Sequence, residues 1–386
     1  MRILYVVSGT YMADGSTKSL LSLMDYMINN GHHIAVICPN ENGLYKYLKA
    51  KGIDVFNAYY RNSAIPFDLS LSSWIKFLPR YIKWSAINRK AKKKLYEEVR
   101  QWAPDIIHEN TSFTDIGRYL SLNLKVPYVV HMREYNSGYW VKGLKSMLND
   151  KRVNVVTITK ALAKKYLGSS KAKNVTIYDG IIDTNSIRYT AKKKNYILYA
   201  GRIEPNKGTD DLISAYINYA ECYPDGLSLK IAGDCVWPDF KRKLQVQLSE
   251  HGLSEKVEWL GVIKDINNLA YEAAVTVVPS HFEGLGRILP EAMANGSLCI
   301  ARNTTGSKEQ LDNGISLVGR EIGLRFDSVS ELTDHLVELS NNMIKDSFHM
   351  SSDYEKMIKD SQIAVRKFFT NEASGRAFLN FYEQIK

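Results

Sequence analysis

The sequence has few cysteines and no long hydrophobic segment. Its four cysteines are Cys38, Cys222, Cys235 and Cys299, and none forms a CxxC pair. We therefore expect reduced thiols in a cytoplasmic protein, with no zinc site and no disulfide framework. No apolar run approaches the roughly 18 residues needed to cross a bilayer. The run MRILYVVSG at residues 1–9 lacks a small-residue cleavage pattern, so we predict a first strand and not a signal peptide.

The sequence also lacks a nucleic-acid-binding motif, which could explain its charge, and a D-x-D pair, which could hold a metal. The net charge is +10 and the pI is about 9.1, which favours anionic partners such as phospholipid, nucleic acid or a phosphorylated substrate. No recognised nucleic-acid-binding motif is present, so we predict that nucleic acid is not a partner. No D-x-D pair is present to hold Mg²⁺ or Mn²⁺.

The rest of the composition is that of a folded α/β protein with two domains. The chain of 386 residues is too long for one compact core. Strand-like apolar runs alternate with helical patterns, which predicts parallel sheets. The basic, polar segment 187–195 is typical of a linker. We therefore predict an N-terminal domain over residues 1–186 and a C-terminal domain over residues 187–370.

The most informative stretch is residues 277–300, VVPSHFEGLGRILPEAMANGSLCI. An apolar strand leads into a glycine-rich turn at 284–286, and a helix follows. Backbone N–H groups at such a strand-to-helix turn favour phosphate. Glu283 and Glu291 flank the turn, and ionised carboxylates accept hydrogen bonds from hydroxyls. A ligand with phosphate between hydroxyl-bearing rings is a nucleotide sugar; the alternative is an ordinary capped strand-turn-helix.

A second turn of this kind follows the strand YILYAGR at residues 196–202. It carries two cations, Arg202 and Lys207, and Gly201 and Gly208 keep the backbone open around them. Two positive charges at a strand-to-helix junction suit a diphosphate leaving group, on which negative charge builds as the glycosidic bond breaks. The alternative is a pair of solvated surface cations.

Two places in the N-terminal half carry further candidates. Gly15 and Ser16 open the first helix and could offer N–H groups to a phosphate; the alternative is a turn in which Ser16 is the N-cap. His131 ends the strand PYVVH, and α/β sheets bind ligands at the carboxyl ends of their strands. The alternative for His131 is a purely structural histidine.

The stretch EGLGRILPEAMANG, with seven residues between Glu283 and Glu291, resembles the paired-glutamate signature of retaining glycosyltransferases of family 4. Arg202 and Lys207 resemble the cations of that family's G-R-x-x-x-x-K-G element. The resemblance covers nearly the whole chain and is strongest in its C-terminal half. It implies the GT-B fold, in which two Rossmann-like, doubly wound α/β domains face each other across a cleft. It also implies that a terminal helix, here residues 371–386, packs back on the N-terminal domain.

The resemblance implies a role for each candidate residue. It assigns Glu283 and His131 to the donor sugar and Glu291 to the ribose. The catalytic candidates are Arg202, Lys207, Glu283 and His131. The donor-binding candidates are Gly15, Ser16, Gly201, Val262, Ile263, Gly284, Leu285, Gly286, Arg287 and Glu291, of which Val262 and Ile263 would offer their backbone to the base. Two residues depart from the family's pattern: Arg287 replaces an uncharged residue of many members, and Asp179 stands in place of the usual asparagine.

These features predict an enzyme that moves a sugar from a nucleotide-diphosphate sugar to an acceptor hydroxyl with retention of configuration. We expect a UDP-sugar as donor. We expect the N-terminal domain to bind the acceptor, a saccharide or a lipid-linked saccharide of a bacterial surface polysaccharide. The resemblance implies a front-face reaction without metal or other cofactor. The alternatives are a nucleotide-sugar epimerase of the same build and a non-catalytic partner subunit of a glycosyltransferase.

The segment 74–100 is rich in both aromatic and basic residues. Its apolar residues recur at helical spacing, and its lysines and arginines far outnumber Glu97 and Glu98. Such a helix can lie on an anionic membrane surface. The alternative is a surface helix whose apolar face packs on the sheet. We predict a cytoplasmic protein, which the first interpretation would place peripherally on the inner face of the cell membrane.

Overall fold

The computed structural model describes residues 1–62, 64–66, 71–134, 139–141, 144–168, 170–342 and 350–386. They form two compact units. Unit 1 comprises Met1–Gly180 and Asn371–Lys386, and unit 2 comprises Ile181–Thr370. The domain boundary predicted after residue 186 and the predicted linker 187–195 both lie within unit 2.

Unit 1 contains a seven-stranded parallel sheet with helices between its strands. Its elements in chain order are β1 (Arg2–Val6), α1 (Gly15–Asn29), β2 (His33–Cys38), α2 (Leu44–Ala50), β3 (Asp54–Asn57), β4 (Ala64–Pro66), α3 (Leu71–Trp102), β5 (Ile106–Glu109), α4 (Ile116–Leu124), β6 (Tyr128–Met132), β7 (Tyr139–Val141), α5 (Leu144–Leu148), β8 (Val153–Thr157), α6 (Lys160–Leu167) and β9 (Lys173–Thr176). The strand order is β3-β2-β1-β5-β6-β8-β9, and β4 and β7 form a separate antiparallel pair.

The hydrophobic pattern accounts for these elements. Strands β6 and β8, with the sequences YVVHM and VNVVT, are buried at every position, as expected for parallel strands covered on both faces. Helix α1 buries Leu20, Leu23, Met24 and Met27, the spacing that places side chains on one face of a helix. The sheet and this face of α1 form the core of unit 1.

Unit 2 contains a six-stranded parallel sheet. Its elements are β10 (Lys194–Ala200), α7 (Thr209–Cys222), β11 (Ser228–Ala232), α8 (Pro238–Glu250), β12 (Val257–Gly261), α9 (Asn267–Glu272), β13 (Ala273–Val278), α10 (Ile288–Ala294), β14 (Leu298–Arg302), α11 (Thr305–Val318), β15 (Leu324–Phe326), α12 (Val329–Asn342) and α13 (Ser352–Phe368), with 3-10 turns at Thr184–Ser186, Pro205–Lys207 and Ser254–Lys256. The strand order is β12-β11-β10-β13-β14-β15.

Both sheets reverse their strand order beside their first strand. In unit 2, β10 lies between β11 and β13, with Tyr199 paired to Val277. The turns that follow β10 and β13 therefore leave the same edge of the sheet next to each other. In unit 1, β1 lies between β2 and β5 in the same way. Open α/β sheets bind ligands at such positions. The prediction of two Rossmann-like α/β domains is confirmed by these sheets.

The last helix, α14 (Asn371–Ile385), belongs to unit 1. Its Phe378 and Tyr382 lie in the same hydrophobic cluster as residues of β1 and α1. Gly375 lets α14 approach α1 closely, because a Cβ added there would lie 2.2 Å from the ring of Tyr26. The close packing of these two helices therefore depends on a glycine at this position.

Helix α3 contains the basic segment 74–100 and has Pro79 in its interior. Three large aliphatic side chains on it, Ile75, Leu78 and Ile82, are exposed at 63%, 48% and 61%. The described part of the chain contains no helix that is long and apolar enough to cross a membrane.

Candidate active site

The turns after β10 and β13 are packed tightly against each other in unit 2. Gly208 has a φ of 64°, and a Cβ added to it would lie 2.1 Å from the carbonyl oxygen of Pro279. The N–H of His281 donates to the carbonyl of Asn206 at 3.1 Å. Only glycine allows this approach. The two predicted motifs therefore lie side by side.

Lys207 and Glu283 form an ion pair between these two turns. Nζ of Lys207 lies 2.6 Å from Oε1 of Glu283, and the two side chains are 18% and 15% exposed. The hydroxyl of Ser280 donates to the same oxygen at 2.8 Å, and the N–H of Glu283 donates to Oγ1 of Thr305 at 2.9 Å. Charge-assisted bonds of this kind are strong, so the carboxylate has a defined position at the edge of the sheet.

Helix α11 orients the glycine-rich turn 284–286. The side-chain amide of Gln310 donates to the carbonyls of Leu285 and Gly286. At Gly306 an added Cβ would lie 2.5 Å from the carbonyl oxygen of Gly284, so these carbonyls face α11. Because C=O and N–H point in opposite directions across a planar peptide, the N–H groups of Leu285 and Gly286 point away from α11. A Cβ added to Gly286 would lie 3.3 Å from the side chain of Glu283, so this turn lies beside the ion pair.

The remaining predicted charges have other neighbours. The side chain of Arg202 is 61% exposed and lies 3.3 Å from Glu204. Among the described contacts, Arg202 has none with Glu283. Arg287 forms an ion pair with Glu291 across the first turn of α10 at 3.3 Å, and its NH2 donates to the carbonyl of Ile181. Arg287, which departs from the family's pattern, therefore has a local partner in Glu291.

A cavity of about 460 Å³ lies at the carboxyl ends of β11 and β12. Its lining residues are Gly233, Asp234, Cys235, Pro238, Lys241, Arg242, Gln245, Gly261 and Val262. Val262 is 72% exposed, and Nζ of Lys241 lies 5.1 Å from the ring centroid of Trp259. The cavity thus contains one of the two residues predicted to contact the base, whereas Ile263 does not line it.

One cluster of potential metal ligands lies near these turns. Among the described residues, Asp210, Asp211 and His281 bring ligand atoms within 4.8 Å of one another. Asp211 is already ion-paired with Arg302, and its carboxylate lies 3.5 Å from Nε2 of His281. The expectation that no metal takes part stays a prediction.

In unit 1, Gly15 is the first residue of α1 and Asp14 occupies the N-cap position. The alternative that Ser16 is the N-cap is therefore wrong. The helix starts earlier because Asp14 already has an extended backbone, with a ψ of 135°, so Ser16 lies inside the first turn. The side-chain amide of Asn110 reaches the carbonyl of Ser16 at 3.5 Å. Whether Gly15 and Ser16 bind phosphate stays a prediction.

His131 is fully buried in unit 1. Its ring centroid lies 5.4 Å from that of His108 and 5.3 Å from that of Phe378. Burial, together with the charge of Arg133 and the neighbouring His108, lowers the pKa of His131 well below its usual value. The predicted contact of His131 with the donor sugar stays a prediction.

Glu109, at the end of β5, is also fully buried. The hydroxyls of Thr114 and Tyr128 donate to its carboxylate, and the N–H of Gly117 donates to it at 3.3 Å. Burial raises the pKa of Glu109. Its hydrogen-bonding capacity is directed into the interior of unit 1.

Sequence reasoning missed several residues that shape these two regions. They are Ser280, Thr305, Gly306 and Gln310 in unit 2, and the buried ion pair of Arg133 with Asp179 in unit 1. In unit 2, Thr305, Gly306 and Gln310 lie outside the matched motifs and meet the turn 283–286 only through folding, whereas Ser280 lies three residues before Glu283. The sequence showed that Asp179 is unusual, but it did not show that Arg133 is its partner.

Residues 183–362, nearly all of unit 2, match the family model described as Glycosyl transferases group 1. Glycogen synthase from Mycobacterium tuberculosis is 26% identical over 237 residues, which cover 56% of this chain and 56% of that protein. The lipopolysaccharide core biosynthesis mannosyltransferase LpsB of Rhizobium meliloti is 25% identical over 214 residues, which cover 52% and 58%. The chain therefore spans little more than half the length of these relatives.

Two solved structures have the same fold. A glycosyltransferase from Rickettsia africae superposes with a TM-score of 0.78 at 18% identity, covering 100% of this chain and 98% of that one. HepE from Anabaena, in complex with UDP and glucose, superposes with a TM-score of 0.71 at 18% identity, covering 100% of both chains. The fold is thus the two-domain Rossmann-like GT-B fold. Residues 183–362 of unit 2 are similar in sequence to group 1 glycosyl transferases.

Proposed function

We propose that this protein is a retaining glycosyltransferase of family 4 that transfers a sugar from a nucleotide-diphosphate sugar to an acceptor hydroxyl. The observation that carries the proposal is the Lys207–Glu283 pair beside the N–H groups of Leu285 and Gly286. At one edge of unit 2, this arrangement brings hydrogen-bond donors for a phosphate next to a carboxylate that can accept from sugar hydroxyls. Structures of HepE contain UDP and UDP-glucose, which supports a UDP-sugar as donor.

The leaving diphosphate would be held by Lys207 and the turn amides. An ammonium group has three donors, and Glu283 uses one of those of Lys207. The exposed Arg202, on the same turn, supplies a second cation. Negative charge builds on the phosphate as the glycosidic bond breaks, so these groups stabilise the transition state more than the ground state. Loss of one such donor typically costs about 10²- to 10³-fold in rate.

The sugar and nucleoside ends would bind on either side of this phosphate. Within the described chain, Oε1 of Glu283 receives Lys207 and Ser280, and a carboxylate has about four acceptor positions, which leaves capacity for sugar hydroxyls. Glu291 would take the ribose. The cavity beside Val262 is of a size that suits a small ligand such as a base.

The proposed transfer occurs on one face of the donor sugar. The bond from C1 to the phosphate oxygen breaks while the acceptor oxygen bonds to C1 from the same side, and the acceptor proton passes to the leaving phosphate oxygen. This route needs no enzyme nucleophile, metal or other cofactor. It is supported by Glu109, whose carboxylate is enclosed by Thr114 and Tyr128 and so cannot act as the second acid of a double-displacement pair.

A screen of nucleotide sugars tests the proposal. The melting temperature should rise with one class of nucleotide sugar, because a ligand that binds only the native state stabilises it. Incubation of that donor with saccharide acceptors should then give a product with the donor's anomeric configuration, measured by NMR. Release of an epimerised sugar without acceptor would favour the epimerase, and binding without turnover would favour the non-catalytic subunit. Failure of every nucleotide sugar to bind would refute all three.

We further propose that the acceptor is lipid-linked and that α3 holds the protein on an anionic membrane surface. From residue 69 to residue 96 the sequence contains no acidic residue. The exposed Ile75, Leu78 and Ile82 lie on the same helix as exposed cations, a combination that suits a membrane interface. The names of LpsB and of an O-antigen mannosyltransferase of Escherichia coli support an acceptor of this kind.

Vesicle flotation tests the membrane proposal. The cations to neutralise are the exposed Arg89, Lys90 and Lys93, because Lys92 is engaged by Asp115 at 2.7 Å. At about 1 kcal/mol for each charge, the triple glutamine variant should bind vesicles that contain phosphatidylglycerol roughly 100-fold more weakly.

The matched control for flotation neutralises Lys46, Lys49 and Lys51, which are exposed on or beside α2 in the same unit. It should bind like the wild type. Equal loss in both variants would show only a net-charge effect, and unchanged binding of the α3 variant would exclude this helix as the attachment site.

A further inference from the structure

The carboxyl end of β6 contains a chain of polar contacts that ends on His131. The guanidinium of Arg133 forms an ion pair with Asp179, and the two side chains are only 8% and 10% exposed. Its Nε donates to Oδ1 of Asn110 at 3.2 Å, and NH2 lies 3.3 Å from Nδ1 of His131. Three neighbours in three directions fix the planar guanidinium, because its donors form a rigid fork.

The contact with Arg133 determines where His131 carries its proton. A guanidinium has only donors and does not lose its proton in proteins. Nδ1 of His131 must therefore accept, and the ring hydrogen must be on Nε2. Among the described residues, Nε2 of His131 is buried and has no hydrogen-bond partner. A buried N–H without a partner is costly for the fold, and this hydrogen is the one that the ring has left for an acceptor.

The groups that face His131 also disfavour its charged form. They are Arg133, whose charge is paired with that of Asp179, His108 on β5, and Phe378 on α14. Burial is the largest cause of the lowered pKa of His131, followed by Arg133 and His108. Burial and Arg133 likewise lower the pKa of His108, to about 3. Both imidazoles are thus neutral at physiological pH.

We propose that Arg133, held by Asp179, is a positioning residue that fixes His131 as the Nε2–H tautomer. The role left to His131 in the transfer is then that of a hydrogen-bond donor through Nε2, and not that of a general acid or base. This second statement rests on the proposed function, whereas the first does not. Asp179 gives Arg133 a counter-ion that the asparagine expected from the family resemblance would not supply.

The tautomer can be measured without any substrate. In protein labelled with ¹⁵N-histidine, the imidazole signals of His131 are assigned by their absence from His131→Asn. The expected pattern is that of the Nε2–H tautomer, constant between about pH 5 and pH 8, where an ordinary histidine titrates. A wild-type His131 that carries its hydrogen on Nδ1, or that titrates in this range, would overturn the proposal.

Two variants distinguish the effect of Arg133 on the tautomer of His131 from a general effect of burial. The double variant Arg133→Met/Asp179→Asn removes both charges and so leaves no unpaired ion in the interior. Its His131 should populate both tautomers and titrate at higher pH than in the wild type. Asp179→Asn alone keeps Arg133 and should keep the Nε2–H tautomer. A double variant with an unchanged tautomer would refute the role of Arg133, and if it does not fold, the wild-type spectrum still decides.

Kinetics then test the role in transfer. The wild-type pH profile of kcat should contain no ionisation from His131. The double variant should lose roughly 10- to 100-fold in kcat through misplacement of the imidazole, with a smaller change in KM and a new ionisation in the profile. An inactive wild type would refute the proposed function while leaving the tautomer assignment intact. If the wild type is active and the double variant has the same kcat, Arg133 has no role in the transfer.

Discussion

The carboxyl edges of the two sheets carry similar residue types and use them differently. In unit 2, Lys207 and Glu283 keep 18% and 15% of their side-chain surface exposed, and the adjacent turn amides point away from α11. In unit 1, His131 and Glu109 are fully buried, and Arg133 and Asp179 are nearly so. A polar group at a strand end can therefore serve either a ligand or the fold. The partners that already use its hydrogen bonds distinguish the two cases, and among the described residues Nε2 of His131 has none.

The largest effect should come from the unit 2 edge. Lys207→Ala and Glu283→Ala should each lower donor-dependent turnover by about two orders of magnitude or more, because each removes electrostatic stabilisation of the transition state. Initial rates with the donor found in the thermal screen measure this loss. The control is Lys308→Ala, whose lysine forms an exposed pair with Asp312 and should be neutral. Turnover close to wild type in either site variant would contradict the site assignment.

The next effect tests packing in unit 1. Gly375→Ala should lower the free energy of unfolding by about 1 to 3 kcal/mol, because the new methyl group would overlap the ring of Tyr26 and force α14 away from α1. Urea denaturation measures it. Gly168→Ala is the matched control, since its nearest neighbour would lie at 3.7 Å. Equal stability of the two variants would show that the helices tolerate a larger separation.

The buried carboxyl of Glu109 should make the stability of unit 1 depend on pH. Burial raises the pKa of Glu109 in the folded state above its ordinary value of 4.5. Between the two pKa values the folded state binds more protons than the unfolded state, so stability falls as pH rises through this window. Glu109→Gln cannot ionise. As pH rises from about 4.5, the melting temperature of the wild type should therefore fall relative to that of the variant. A difference that does not change with pH would contradict a raised pKa.

Lys193 in unit 2 should show the opposite trend. It is 3% exposed, and its Nζ donates to the carbonyls of Tyr271 and Gly296. Burial lowers its pKa from 10.5 to about 8, so between these values the unfolded state binds more protons and stability rises with pH. Relative to Lys193→Met, the wild type should gain stability from pH 8 towards pH 10. A constant difference between the two proteins would contradict this assignment.

Much of the fold was predictable because its signals are local. Apolar runs and helical spacing lie within short windows of sequence, and they predicted the strands and helices around both edges. The turns with Gly208 and Gly286 were visible because left-handed backbone favours glycine. The domain boundary has no such local signal. The compact units divide after Gly180, within a stretch whose composition does not change there.

The sequence by itself determined the α/β class, the two glycine-rich turns and the types of charge they carry. Only the tertiary structure decided that Lys207 pairs with Glu283, that Gln310 turns the carbonyls of 285 and 286 inward, and that His131 is enclosed by α14. The physical reason is distance along the chain. Each of these contacts joins residues far apart in sequence, and whether a side chain is exposed or enclosed depends on which distant elements pack over it.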